Sequence, residues 1–273
     1  MMPLLPLRQR LIGTSLRRYR EEAGLDLLDA ARILDCDRSR VSRIESGERG
    51  IRLVELRELL LEYGADEAGR DALEALACAS RDGWWRALSA GYVDLLIVES
   101  AAERIMIYAP LQVPELLRTE GCARVAFADC GDAEGMTDVA VAAMMARQRA
   151  VFRERDTRVA VVLGEAALRQ EVGGADVLRG QLHHLAGRGC PGTAIQVVPF
   201  TVGAHGASGG FSILQFGPAL PPGLVVVDAP ADGGIYLDAP ESVAAYNRAF
   251  TRFRGLALSP GDSARMLREV ARA

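Results

Sequence analysis

The most directed chemistry in this 273-residue chain lies in one short run, Asp37-Arg38-Ser39-Arg40-Val41-Ser42-Arg43-Ile44-Glu45. Val41 and Ile44 lie three apart and share one side of a helix, so Arg38, Ser39, Ser42 and Arg43 take the rest of its surface. A thin apolar seam backed by guanidinium and hydroxyl groups suits the DNA major groove. There Arg grips guanine bidentately and Ser reaches bases or phosphates. Taken alone, the run equally describes a solvated surface helix, so its flanks must decide. Asp37 suits an N-cap, and Gly47 the left-handed position beyond the helix end.

Other residues with chemical potential assemble into nothing comparable. The histidines are His183, His184 and His205. Neighbouring helix positions point about 100° apart, so His183 and His184 do not chelate one ion, and no cysteine stands at ligand spacing. The glycine-rich run 203–210 lacks the Lys-Ser/Thr of a phosphate loop and leads into a strand, which makes it a hairpin loop. Ser208 is not in a Gly-x-Ser-x-Gly elbow. Glu165 and Arg169, four apart, read as a helix-surface ion pair. The sequence therefore predicts no catalytic residues, no metal and no cofactor.

Elements of matching geometry must hold the 37–45 helix. A first helix is expected over 7–22, where Ile12, Leu16, Tyr19 and Ala23 keep the helical period until Gly24. Asp26 caps a second helix that buries Leu27, Leu28, Ala30, Ala31 and Leu34. Asp35 and Cys36 then make a tight turn into the third, the layout of a helix-turn-helix. Leu53, Leu56, Leu60 and Tyr63 mark a fourth helix and residues 66–79 a fifth. An all-α domain over 1–80 follows.

Residues 81–100, with Trp84 and Trp85, read as a junction. Residues 101–273 read as a mixed α/β domain. Helix is expected over 101–128 with a break at 110–114, and again over 138–153, 176–186 and 240–258. Strands are expected at 159–163, 194–200, 211–216, 224–227 and 235–237. Ser259, Pro260 and Asp262 open a last helix.

Composition sets the limits. A net charge of -4 argues against nucleic-acid binding over the whole surface, and the 32 basic residues are all Arg. Residues 1–60 hold 12 Arg against 10 acids, so the mild basicity sits at the N-terminal end. Five scattered cysteines without a CxxC pair suit a reducing, cytoplasmic setting. Neither a signal peptide nor a membrane helix is expected.

The segment LRRYREEAGLDLLDAARILDCDRSRVSRIESGER resembles the lambda-repressor/Cro, or xenobiotic-response-element (XRE), type of helix-turn-helix, over roughly residues 8–65. The resemblance implies base contacts from Arg38, Ser39 and Arg43, with Arg40 at the edge and Arg49 and Arg52 near the phosphates. It also implies a structural pair between Arg20 and Glu45. Leu27 stands where that type usually has a phosphate-holding Gln, Asp35 where it has a turn Gly, and Asp29 follows Leu28. Further on, IMIYAPLQVPELLRTEGCARVAFAD, MMARQRAVF, IQVVPF, HGASGGFSILQF and ALSPGDS resemble the WhiJ-like, or Scr1-type, actinobacterial regulators, which are antitoxin-like. Glu115 and Arg118 replace the Gly and Gln usual there.

Two readings compete. One is a sequence-specific DNA-binding transcriptional regulator whose C-terminal domain senses a ligand or docks a small partner protein. The other is an enzyme or ligand-processing α/β domain with an accessory helix-turn-helix. The recognition helix favours the first. One such helix reads only a few base pairs, so a homodimer on two half-sites is expected. Its interface is expected in the C-terminal domain, where Val139, Ala142, Ala143 and Ala146 form a smooth stripe.

Overall fold

Helix α1 (Leu7–Glu22) buries Leu7, Leu11, Ile12 and Leu16 along one side. That is the stripe a 3.6-residue repeat of apolar side chains must produce. Helices α3 (Arg38–Glu45), α4 (Leu53–Glu62) and α5 (Glu67–Cys78) pack on α1, while α2 (Leu27–Ile33) packs on α3 and α4. The computed structural model describes residues 7–78, 90–129, 136–154, 157–187, 192–203, 209–228 and 234–272. Trp84 and Trp85 lie outside them. Helix α6 (Ala90–Glu99) falls inside the stretch read from the sequence as a junction, and it packs on α1.

The chain forms two compact units. The first comprises these six helices with the segment Gln215–Gly223. In it, Arg18 donates from Nη1 to the Leu220 carbonyl at 3.0 Å and from Nη2 to the Ala219 carbonyl at 2.9 Å.

The second unit is built on a sheet. Its elements are β1 (Arg104–Ala109), α7 (Glu120–Asp129), α8 (Met136–Arg149), β2 (Arg158–Gly164), α9 (Ala166–Arg169), α10 (Ala175–Ala186) and β3 (Thr193–Val198). After these come β4 (Phe211–Gln215), β5 (Leu224–Val227), β6 (Ile235–Leu237), α11 (Pro240–Leu256) and α12 (Pro260–Val270). The strand order is β3-β2-β1-β4-β5-β6, with β1, β2 and β3 parallel and β4, β5 and β6 antiparallel. Tyr108 stacks on Phe253 at 4.2 Å between centroids, in a core with Met106, Val162, Phe211, Ile213 and Phe250. An all-α unit followed by an α+β unit is the class expected.

Strand β1 is a correction. Its residues were expected to be helical, yet they form an inner strand between β2 and β4. Residues 105–109 are all buried, so Ile-Met-Ile-Tyr-Ala is an unbroken apolar run. Such a run carries no two-residue alternation to separate it from a buried helix. Among the described residues no helix is long and apolar enough to cross a membrane.

Candidate nucleic-acid interface

The interface is built from caps inward. Asp26 Oδ1 accepts from the backbone N–H groups of Leu28 and Asp29 at 2.7 and 2.9 Å, and Asp29 Oδ2 accepts from the Asp26 N–H at 3.0 Å. This reciprocal pair fixes the start of α2. It gives Asp29, one of the departures from the pattern the segment resembles, the N3 place in the capping box of Asp26. Asp35 takes φ 46°, and the Cys36 N–H reaches back to the Ala31 carbonyl at 2.9 Å. Asp tolerates this left-handed conformation better than most residues, which explains how the turn closes without glycine. Asp37 accepts from the Arg40 N–H at 2.8 Å and from the Ser39 hydroxyl, so α3 starts where the sequence places it. Gly47 ends it at φ 77°.

Two features seat α3 on α1. At Gly13 the backbones touch: a β-carbon there would stand 2.4 Å from the Ile44 carbonyl oxygen. Beside this contact Arg20 grips Glu45 with both arms, Nε to Oε1 at 2.7 Å and Nη2 to Oε2 at 2.8 Å, and both residues are buried. Arg20 Nη1 donates to the Leu25 carbonyl at 2.9 Å, tying in the approach to α2. The hydrogen bond to Glu45 raises the guanidinium's already high pKa. This pair orients α3 and is largely shielded from solvent.

With Val41 and Ile44 turned inward, Arg38, Ser39, Ser42 and Arg43 are all exposed on the outer side of α3. Arg43 Nε donates to the Ser39 carbonyl at 3.2 Å, which lays its guanidinium along the helix. Arg49 is also exposed, and its backbone N–H bonds the Arg43 carbonyl at 2.9 Å, holding the following loop against the end of α3. Arg40 is placed differently. Its side chain is only 20% exposed and donates to Glu55 Oε1 at 2.6 Å. Arg52 donates to the same oxygen at 2.6 Å but stays 79% exposed.

Glu55 is the residue behind this surface that the sequence does not single out. It is buried, accepts both guanidinium groups, and its Oε2 accepts from the Arg52 backbone N–H at 3.3 Å. The hydrogen bond from Arg52, then that from Arg40, hold its carboxyl at a pKa of about 2 against the opposing effect of burial. One signal was available: Arg52 and Glu55 stand three apart at a helix start, the spacing of a capping pair. Nothing local points to Arg40, because that contact joins two helices.

Glu165 has a structural role. Glu165 Oε1 meets Arg169 at 2.8 Å, while Oε2 accepts from the Phe200 N–H at 2.8 Å. Burial lowers the His184 pKa. No group of three or more His, Cys, Asp or Glu side chains among the described residues could hold a metal ion. His205 and Ser208 lie outside the described residues.

Residues 92–269 match the family described as a domain of unknown function (DUF5753). Residues 11–73, which contain the capped α2–α3 unit, match a helix-turn-helix domain family. No curated protein and no solved structure matches the chain. The helix-turn-helix match and the exposed basic face of α3 together support DNA binding.

Proposed function

Because the chain belongs to the DUF5753 family and carries a helix-turn-helix domain before that match, we propose that it is a sequence-specific DNA-binding transcriptional regulator of the XRE type. In this reading it works as a homodimer in the cytoplasm. Its C-terminal domain senses a ligand or docks a small partner protein, as in the antitoxin-like, WhiJ-like actinobacterial regulators its segments resemble. The observation that carries the reading is α3. It is capped at both ends and pinned to α1 by Arg20–Glu45, and it presents Arg38, Ser39, Ser42 and Arg43 outward. Such a helix brings its side chains to base edges in the major groove without further rearrangement.

Arg49 and Arg52, in the loop after α3, suit phosphates, which fix register but read no sequence. Arg40 serves through Glu55 and holds α3 to α4. A regulator fits better than an enzyme because α3 presents an exposed basic face, while the buried Arg20, Glu45, Glu55 and Glu165 are committed to ion pairs within the fold.

The test is selection of a binding site from a random DNA pool with the whole protein, followed by substitution. Arg38→Ala and Arg43→Ala should each weaken the selected site by about 1–3 kcal/mol and relax one base position. Arg49→Ala should weaken all sequences alike and reduce the salt slope of log K by about one. Specific binding unchanged by Arg38→Ala and Arg43→Ala would refute the recognition-helix assignment.

A further inference from the structure

Helix α4 turns Leu56, Leu59 and Leu60 into the first unit, yet on its outer side Val54 and Leu61 remain 72% and 64% exposed. Between them lie Arg57 and Glu58, also exposed. Positions 54, 57, 58 and 61 follow the spacing i, i+3, i+4, i+7 and form one stripe along the helix. Its chemistry reads the same in both directions except for charge: aliphatic, cation, anion, aliphatic.

We propose that this stripe is the site where a second copy of the chain docks. In an antiparallel pair of α4 helices about a two-fold axis, Val54 faces Leu61 of the second copy. Arg57 then faces Glu58 of the second copy, and the same contacts repeat by symmetry. An isologous interface requires a patch that complements itself, and these four side chains meet that requirement. A foreign partner would need no such palindrome. Arg57 is already held in place: its Nε and Nη2 donate to Glu74 Oε2 at 2.8 and 2.6 Å, leaving Nη1 unused by that carboxylate. In the dimer this guanidinium would bridge Glu74 of its own copy and Glu58 of the second.

One helix pair buries far less than the roughly 1,200–2,000 Å² of a stable interface. The contact is therefore weak and forms at high chain concentration, or where two copies are held side by side. It gives the proposed homodimer an interface in the helical unit, and not on the α8 stripe where the sequence reading expects it, in which Ala143 is buried. Because its test reads association without DNA, it stands or falls apart from the DNA-binding reading.

The test is sedimentation equilibrium of the full chain from about 1 µM to about 1 mM, the range in which weak association is populated. The wild-type chain should dimerise with rising concentration. Arg57→Glu places two acids opposite two acids, and Glu58→Arg places two bases opposite two bases. Each variant alone should dimerise at least tenfold more weakly. Mixed in equal amounts, the two variants restore both cross-axis pairs, and a heterodimer at least as tight as the wild-type dimer is expected. A general loss of fold cannot produce that rescue. If Arg57→Glu proves unfolded because Glu74 loses its partner, the uncharged variant Val54→Ser/Leu61→Ser serves, and it should also weaken association at least tenfold. A chain that stays monomeric throughout overturns the proposal. So does a dimer of unchanged strength in Glu58→Arg and Val54→Ser/Leu61→Ser, or a mixture of two folded charge variants that does not associate.

Discussion

Glu55→Gln isolates one electrostatic device. The substitution keeps the size of the side chain and one acceptor oxygen but removes the negative charge between Arg40 and Arg52. Arg52 is mostly exposed, so its half of the pairing is worth under about 1 kcal/mol. Arg40 is mostly buried, and a buried cation stripped of its partner is strongly destabilising, by about 3–5 kcal/mol where nothing replaces it. The retained amide oxygen recovers part of this, so a net loss of about 2–3 kcal/mol is expected. The titration has the same sign: the hydrogen bonds from Arg52 and then from Arg40 draw the carboxyl from an ordinary 4.5 to about 2 on folding, against the opposing effect of burial.

The sign follows from a depressed folded pKa. The stabilisation is fully present above about pH 4.5 and is lost as pH falls towards about 2. The assay is native-state hydrogen exchange on the full chain, reading α3 and α4 with α10 as an internal reference. The difference between wild type and Glu55→Gln should be constant above pH 4.5 and shrink steadily below it. A difference under about 0.5 kcal/mol, or one independent of pH, would refute the role given to this carboxylate.

Two further perturbations test the seating of α3. In a double-mutant cycle with Arg20→Ala and Glu45→Ala, each single change should destabilise the helical unit by about 3 kcal/mol, with a coupling above about 1 kcal/mol; additive losses would dissolve the pair. Gly13→Ala gains about 0.5–1 kcal/mol of helix propensity, yet its methyl group would press on the Ile44 carbonyl, so a net loss of about 1–3 kcal/mol is expected in a denaturant melt. A neutral or stabilised Gly13→Ala protein would mean that α1 and α3 do not approach so closely.

Much of the first unit is legible in the sequence because its determinants are local. Asp26, Asp37 and Gly47 act within one turn of the helix ends they define, and the apolar repeat of α1 shows which side is buried. The exposed face of α3 follows from the positions of Val41 and Ile44 alone. Other features required the folded chain, and they share a cause. Strand β1 is buried on both faces, and burial on both faces erases the periodicity that would reveal a strand. The resemblance puts Arg40 at the edge of the base-reading face of α3. Only the packing of α4 brings Glu55 within 2.6 Å and turns that base into a structural tie. The exposure of Leu28, expected on the buried side of α2, was equally hidden, since an apolar residue in a helix is read as core until the neighbouring helices show which side they cover. Local sequence sets where helices begin, end and turn their apolar side. Which charges meet, and which apolar groups stay in water, depends on residues far apart in the chain and is decided only when the elements pack.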